Sequence, residues 1–178
     1  MSTRCDRAAW HCRTTVRTYR ADVLWYLDRY GAIEGLRRFY AEHAPTAELL
    51  REGNLLTQTG INQLWLALTG GSFTAYSNAN ARIGVGSSSV AAQATDTDLL
   101  GTSASWKGME VGYPVVSALA DRKVSFRSIF GASEGNHAWE EWGLDNGAAA
   151  HKLLNRKVEA LGTKSSGSWQ ITVEISLS

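Results

Sequence analysis

The residues able to do chemistry fall into three groups, and each lacks something that its chemistry requires. Cys5, His11 and Cys12 offer soft and imidazole ligands for zinc. A structural zinc site takes four ligands, usually with closely paired cysteines. Here only three lie together and the gap between the thiols is too long for a knuckle, so the pair reads as buried or idle reduced thiols. His137, Glu140 and Glu141 suggest acid–base work. On an extended segment neighbouring side chains point to opposite faces, so Glu140 and Glu141 cannot share one site. Asp96, Asp98 and Asp121 give no sign of supplying the second carboxylate that a two-acid cleft needs. Gly84-Val85-Gly86 has the composition of a phosphate loop, but Gly86 runs into Ser87-Ser88-Ser89-Val90 with no lysine and no βαβ unit around it, so it reads as a tight turn. No nucleophile elbow, H-E-x-x-H run or catalytic Cys/His pair is present. The expectation is a protein with no catalytic, cofactor-binding or metal residues, one that is not an enzyme.

Two further groups could bind rather than react. Arg4, Arg7, Arg13, Arg17 and Arg20 face only Asp6 in the opening segment, beside Trp10. Such a segment reads as an arm that docks on an acidic protein surface. The competing readings are a solvated helix face, with Trp10 and Val16 turned inwards, and a nucleic-acid contact, which a formal net charge of +1 weakens. Trp106, Trp139, Trp142 and Trp169 could line a sugar-binding face or fill a core. Trp139 and Trp142 can both be core only if a bulge separates them or both faces of their strand are covered. The interaction residues expected are therefore Arg4, Arg7, Arg13, Arg17, Arg20, Trp10, Trp106 and Trp139.

At 178 residues and 44% hydrophobic content the chain suits one domain, or one domain with an appendage, and can bury a proper core. Seven Trp and 17 Gly against two Pro is a mixture suited to short strands and tight turns. No apolar run reaches the roughly 20 residues that cross a bilayer, and the Arg-rich start has no apolar centre for a secretory signal. Both cysteines lie in the first segment, which excludes a disulfide framework for the remainder.

The elements that would position these groups come in two regimes. Up to about Glu52 the spacing is helical: Val23, Leu24, Leu27 and Tyr30, stopped by Gly31, then Ile33, Leu36, Phe39 and Tyr40, closed at Pro45, with a further turn over Thr46–Leu50. Ile61, Leu64, Trp65 and Leu68 at i, i+3, i+4 and i+7 predict a helix over about 59–69, capped by Thr59 and ended by Gly70-Gly71. Beyond it short strands are expected over 81–86, 105–111, 124–130, 137–144 and 153–161, joined by Gly/Ser/Asn turns. The last strand is written in period two, with Trp169, Ile171, Val173, Ile175 and Leu177 facing a core. The fold class expected is α+β, mainly β: an antiparallel, jelly-roll-like β-sandwich with an N-terminal helical segment. The division expected is 1–53 as a helical docking arm and 54–178 as the sandwich domain, whose core lies wholly downstream of the arm.

Taken in order, several stretches resemble structural proteins of tailed bacteriophages. They are Asn54-Leu55-Leu56-Thr57 through Leu64-Trp65, Ala81-Arg82-Ile83-Gly84-Val85-Gly86-Ser87-Ser88, Thr95–Leu99, Val124-Ser125-Phe126-Arg127, Ala138-Trp139-Glu140-Glu141-Trp142, Leu154-Asn155-Arg156-Lys157 and Trp169–Ser178. The similarity spans about residues 54 to 178 and leaves out the first 53. It implies a non-enzymatic virion component with a β-sandwich body, assembled in the host cytoplasm, without cofactors. Its implied place is a capsid decoration or minor capsid protein that binds neighbouring virion subunits. The implied partners are major capsid or tail proteins, in a homo-oligomer or symmetric array, with neither nucleic acid nor membrane. The alternative is a tail or fibre-associated module that binds host carbohydrate.

Overall fold

Alternation and turn chemistry divide the chain into ten strands and two helices among the described residues. The computed structural model describes residues 9–118, 121–147 and 152–177. In chain order the elements are β1 (Trp10–Tyr19), α1 (Val23–Glu42), β2 (Ala47–Glu52), β3 (Leu55–Leu56), α2 (Gln58–Thr69) and β4 (Arg82–Gly86). They continue with β5 (Ala104–Gly108), β6 (Val115–Val116), β7 (Lys123–Phe130), β8 (Ala138–Asp145), β9 (Asn155–Thr163) and β10 (Ser168–Leu177). The strands form two antiparallel sheets, ordered β2-β1-β10-β7-β6 and β3-β9-β8-β4-β5. The protein is thus mainly β, with two packed sheets and helices outside them.

Inward-facing residues of both sheets meet in one core: Val16 of β1, Phe126 and Phe130 of β7 and Ile171, Val173 and Ile175 of β10 pack with Ile83, Val85, Trp139, Trp142, Leu144 and Leu161. Burying aliphatic and aromatic side chains of this size stabilises by about 1.5–3 kcal/mol each. Trp139 and Trp142 are both enclosed because the β8–β9 register shifts between Trp139 and Glu141, the bulge that their odd spacing requires. Trp139 stacks edge-on against Phe130 and Trp169, at 5.1 and 4.9 Å between centroids.

The expectation of a helical segment up to residue 52 is half right. Val23–Glu42 is helical and bends at Gly31, which adopts the left-handed φ of 75°. The two halves touch there: a Cβ on Gly35 would sit 2.6 Å from the Tyr26 carbonyl oxygen. Tyr19, Val23, Tyr26, Leu36, Phe39 and Ile129 form a second cluster, through which α1 covers the outer face of the first sheet. Residues 10–19 and 47–52, however, are strands. β1 lies between β2 and β10 and pairs with β10 from Trp10↔Leu177 to Tyr19↔Ser168. Cys12 and Val16 belong to the main core, so that core is not confined to residues downstream of 53. Deleting residues 1–20 would therefore remove an interior strand, Trp10–Tyr19. The strand wins because Thr14, Thr15, Val16 and Thr18 are β-branched and the inward set alternates.

Val173 is 0% exposed and flanked by β1 and β7. Val173→Asp drives a carboxylate into the core and is expected to destabilise by about 4 kcal/mol or more. Thr172→Asp, opposite Arg127 on the outer face, is expected to change stability by less than about 1 kcal/mol. Urea unfolding of the two variants checks this; equal losses would contradict the facing.

Candidate assembly surface

Several charged residues of this fold are engaged with one another. Arg13 and Arg17 stand on the outer face of β1, where Arg13 approaches Glu52 at 3.6 Å and Arg17 bonds Glu48 at 2.6 Å. These are cross-strand pairs of an exposed sheet face, a solvated arrangement of small energetic weight. Arg20 is exposed beyond the end of the strand. Arg4 and Arg7 lie outside the described residues, as does Cys5. Cys12 points into the core, and burial pushes its thiol up to about 12. His11 is on the exposed side of the same strand, so the two point to opposite faces. Among the described residues no group of His, Cys, Asp and Glu could hold a metal ion, and no helix is long and apolar enough to cross a membrane.

The acids come together in a way that neighbouring positions on a strand did not suggest. Glu141 and Asp96 meet around the fully buried Arg156, whose Nε donates to Glu141 Oε2 at 2.7 Å and whose Nη1 donates to Asp96 Oδ2 at 2.8 Å. Glu141 Oε1 also accepts from the Leu100 and Gly101 amides at 3.1 and 2.7 Å, and Arg156 Nη2 donates to the Val90 carbonyl at 3.0 Å. The cluster pins the segment between β4 and β5 over the outer face of the second sheet. Arg156 and Glu141 each bond that segment directly. Arg156→Met would strand two carboxylates in a dry site. A loss of about 3–5 kcal/mol in urea unfolding is expected; a variant as stable as the parent would show that the cluster is solvated.

A second polar network lies beneath α1. Glu110 accepts from Tyr40 at 2.8 Å and from Arg127 Nε at 3.1 Å. Gln170 Nε2 donates to the Tyr40 hydroxyl at 2.6 Å. Burial raises the Glu110 carboxyl above its ordinary range despite these partners.

The four tryptophans considered for sugar binding, Trp106, Trp139, Trp142 and Trp169, share no exposed face, since Trp139 and Trp142 are enclosed. Trp139 is 0% exposed, and its indole donates to the Gly135 carbonyl at 2.9 Å. Trp106 packs on Gly84, where a Cβ would come within 2.6 Å of its ring, and the Arg82 guanidinium sits 5.4 Å from its centroid. Trp10 is half-buried and donates to Asn54 Oδ1 at 2.8 Å.

Exposed large apolar side chains occur elsewhere, Trp25 and Ile33 among them, but four of them share one helix, α2. Its N-cap is Thr57, not Thr59: the buried Thr57 hydroxyl accepts from the Gly60 amide at 3.0 Å and donates to the Leu153 carbonyl. Thr59 donates to the same carbonyl at 3.1 Å. Gly60 lies so close to the backbone just before β9 that a Cβ would fall 2.3 Å from the Leu154 oxygen. The helix therefore turns Gly60 and Gln63 towards the body and ends, as expected, at left-handed Gly70. The apolar stripe consequently points outwards, with Trp65 60% and Leu68 75% exposed and Ile61 and Leu64 also exposed. An apolar groove of about 410 Å³ adjoins it, lined by Leu64, Tyr76, Val116, Phe126, Ile175 and Leu177. The stripe was legible in the sequence, but its direction was not. The signal for direction was Gly60, the one position of the helix without a Cβ and so the one able to approach a neighbouring backbone closely.

Compared with protein-family models, curated proteins and solved structures, the chain shows no match.

Proposed function

We propose that this protein is a non-enzymatic structural component of a tailed-phage virion, a capsid decoration or minor capsid protein that binds neighbouring subunits of the particle. The observation that carries the assembly reading is the outward stripe of α2. A helix of this length is marginal on its own, and an amphipathic helix gains its stability by covering its apolar side. Here that side is exposed, with Trp65 and Leu68 the most so. Exposed apolar surface of this extent on a small soluble domain marks an interaction site. The phage assignment rests on the sequence resemblance over 54–178. Symmetric repetition suits it, since modest contacts multiply across many copies.

The jelly-roll form is the finer part of this reading. The adjacency of first and last strands, β1 beside β10, favours it, whereas hairpins kept within one sheet, β4–β5 and β8–β9, depart from a pair of Greek keys. The alternative of a fibre module that binds sugars draws on Trp106, Trp139, Trp142 and Trp169, and the enclosure of Trp139 and Trp142 takes away two of its four rings.

Purified particles test the proposal. Quantitative mass spectrometry and a particle map are expected to show many copies touching the major capsid or tail protein. Trp65→Glu is expected to cut incorporation at least roughly tenfold, the scale of a lost interface tryptophan. Particles that lack the protein altogether would overturn the proposal.

A further inference from the structure

We infer that the surface covering α2 is a second copy of the same chain, joined across a two-fold axis that passes between Leu64 and Trp65. This deepens the assembly reading above and rests on it. Three observations lead there. First, the helix Gln58–Thr69 carries no charged residue. Helix-to-helix pairing opposes no like charges, since the cations Arg122 and Lys123 line the groove and not the helix, and a partner with an ionic face would gain no complementary contact from the helix.

Second, the stripe Ile61, Leu64, Trp65 and Leu68 has the same spacing read from either end. A two-fold axis at its midpoint brings two such helices together antiparallel. Ile61 then meets Leu68 of the second copy, and Leu64 meets Trp65 of the second copy, twice over. This is the self-complementarity that an isologous contact demands. The spacing is also the one that packs helices ridge into groove, with axes about 8–10 Å apart.

Third, the groove receives what the axis delivers. Leu64 lines the rim of the 410 Å³ groove, so Trp65 of the second copy, set opposite Leu64, arrives at its mouth. Val116, 80% exposed, and Leu177, 53% exposed, line the same groove and would be covered in the same step. A large aromatic inserted into an apolar pocket is the usual centre of a strong interface. With Ile61, Leu64, Trp65, Leu68, Val116 and Leu177 all between 37% and 80% exposed, the patch is on the order of the ~800 Å² per partner that a specific interface buries.

The test uses the full chain alone. Light scattering and sedimentation at micromolar concentration are expected to give the mass of a dimer. Trp65→Glu and Leu64→Lys, each alone, are expected to weaken self-association by at least roughly thirtyfold while the circular dichroism stays that of the parent. The double variant Leu64→Lys/Trp65→Glu is expected to dimerise again, because the axis sets the new ammonium of one copy against the new carboxylate of the other. Mixing the two single variants is expected to give a heterodimer. A wild-type chain that stays monomeric overturns the inference. If Trp65→Glu is nevertheless lost from particles, another virion protein covers the stripe, and only the assembly reading stands. A double variant as monomeric as the singles overturns the axis.

Discussion

The ladder between β1 and β10 is the contact on which the rest of this structure depends. It runs from Trp10↔Leu177 to Tyr19↔Ser168 and joins two stretches that are far apart in the chain. β2 attaches on one side of the pair and β7 on the other. Inward, the two strands contribute Val16, Ile171, Val173 and Ile175 to the core shared with the second sheet. Outward, they end where α1 begins: the Val23 amide donates to Ser168 Oγ at 2.7 Å, and Tyr19 enters the cluster beneath the helix. Contacts so distant in sequence cost loop-closure entropy, so the ladder must be long to repay it.

Around that pair the molecule closes most of its own surfaces. The α1 cluster covers part of the outer face of the first sheet. The Glu141–Arg156–Asp96 cluster holds the segment between β4 and β5 over the outer face of the second. Buried ions of this kind contribute little net stability over an apolar filling, but they allow only one seating of that segment. Once these surfaces are occupied, the apolar stripe of α2 and the groove beside it stand out. The close approach of Gly60 to Leu154 fixes the helix with that stripe outwards.

Much of this was legible in the residues. The alternation over 169–177 and 124–130 gave β10 and β7, Gly31 marked the bend in α1, and Gly70 the end of α2. β1 was missed for two physical reasons. Thr14 replaces an apolar residue in the inward row, and Arg13, Arg17 and Arg20 fall at i, i+4 and i+7, which imitates a helix face. β2 was hidden because Leu49-Leu50 breaks its alternation: Leu49 packs on the core while Leu50 is exposed at the sheet edge. The meeting of Asp96 with Glu141 depends on Arg156, sixty residues from the first and fifteen from the second, a tertiary fact that no local pattern carries. The direction of the α2 stripe was likewise decided by packing rather than by period.

Hydrogen exchange read by mass spectrometry across a dilution series tests the central claim most directly, because it reports the sheet and the helix in one experiment. The account predicts that peptides from β1 and β10 share the slowest exchange and open together at every protein concentration. It predicts that residues 61–68 become more protected as concentration rises. Early exchange in β1 while β10 stays closed, or protection of α2 independent of concentration, would contradict it.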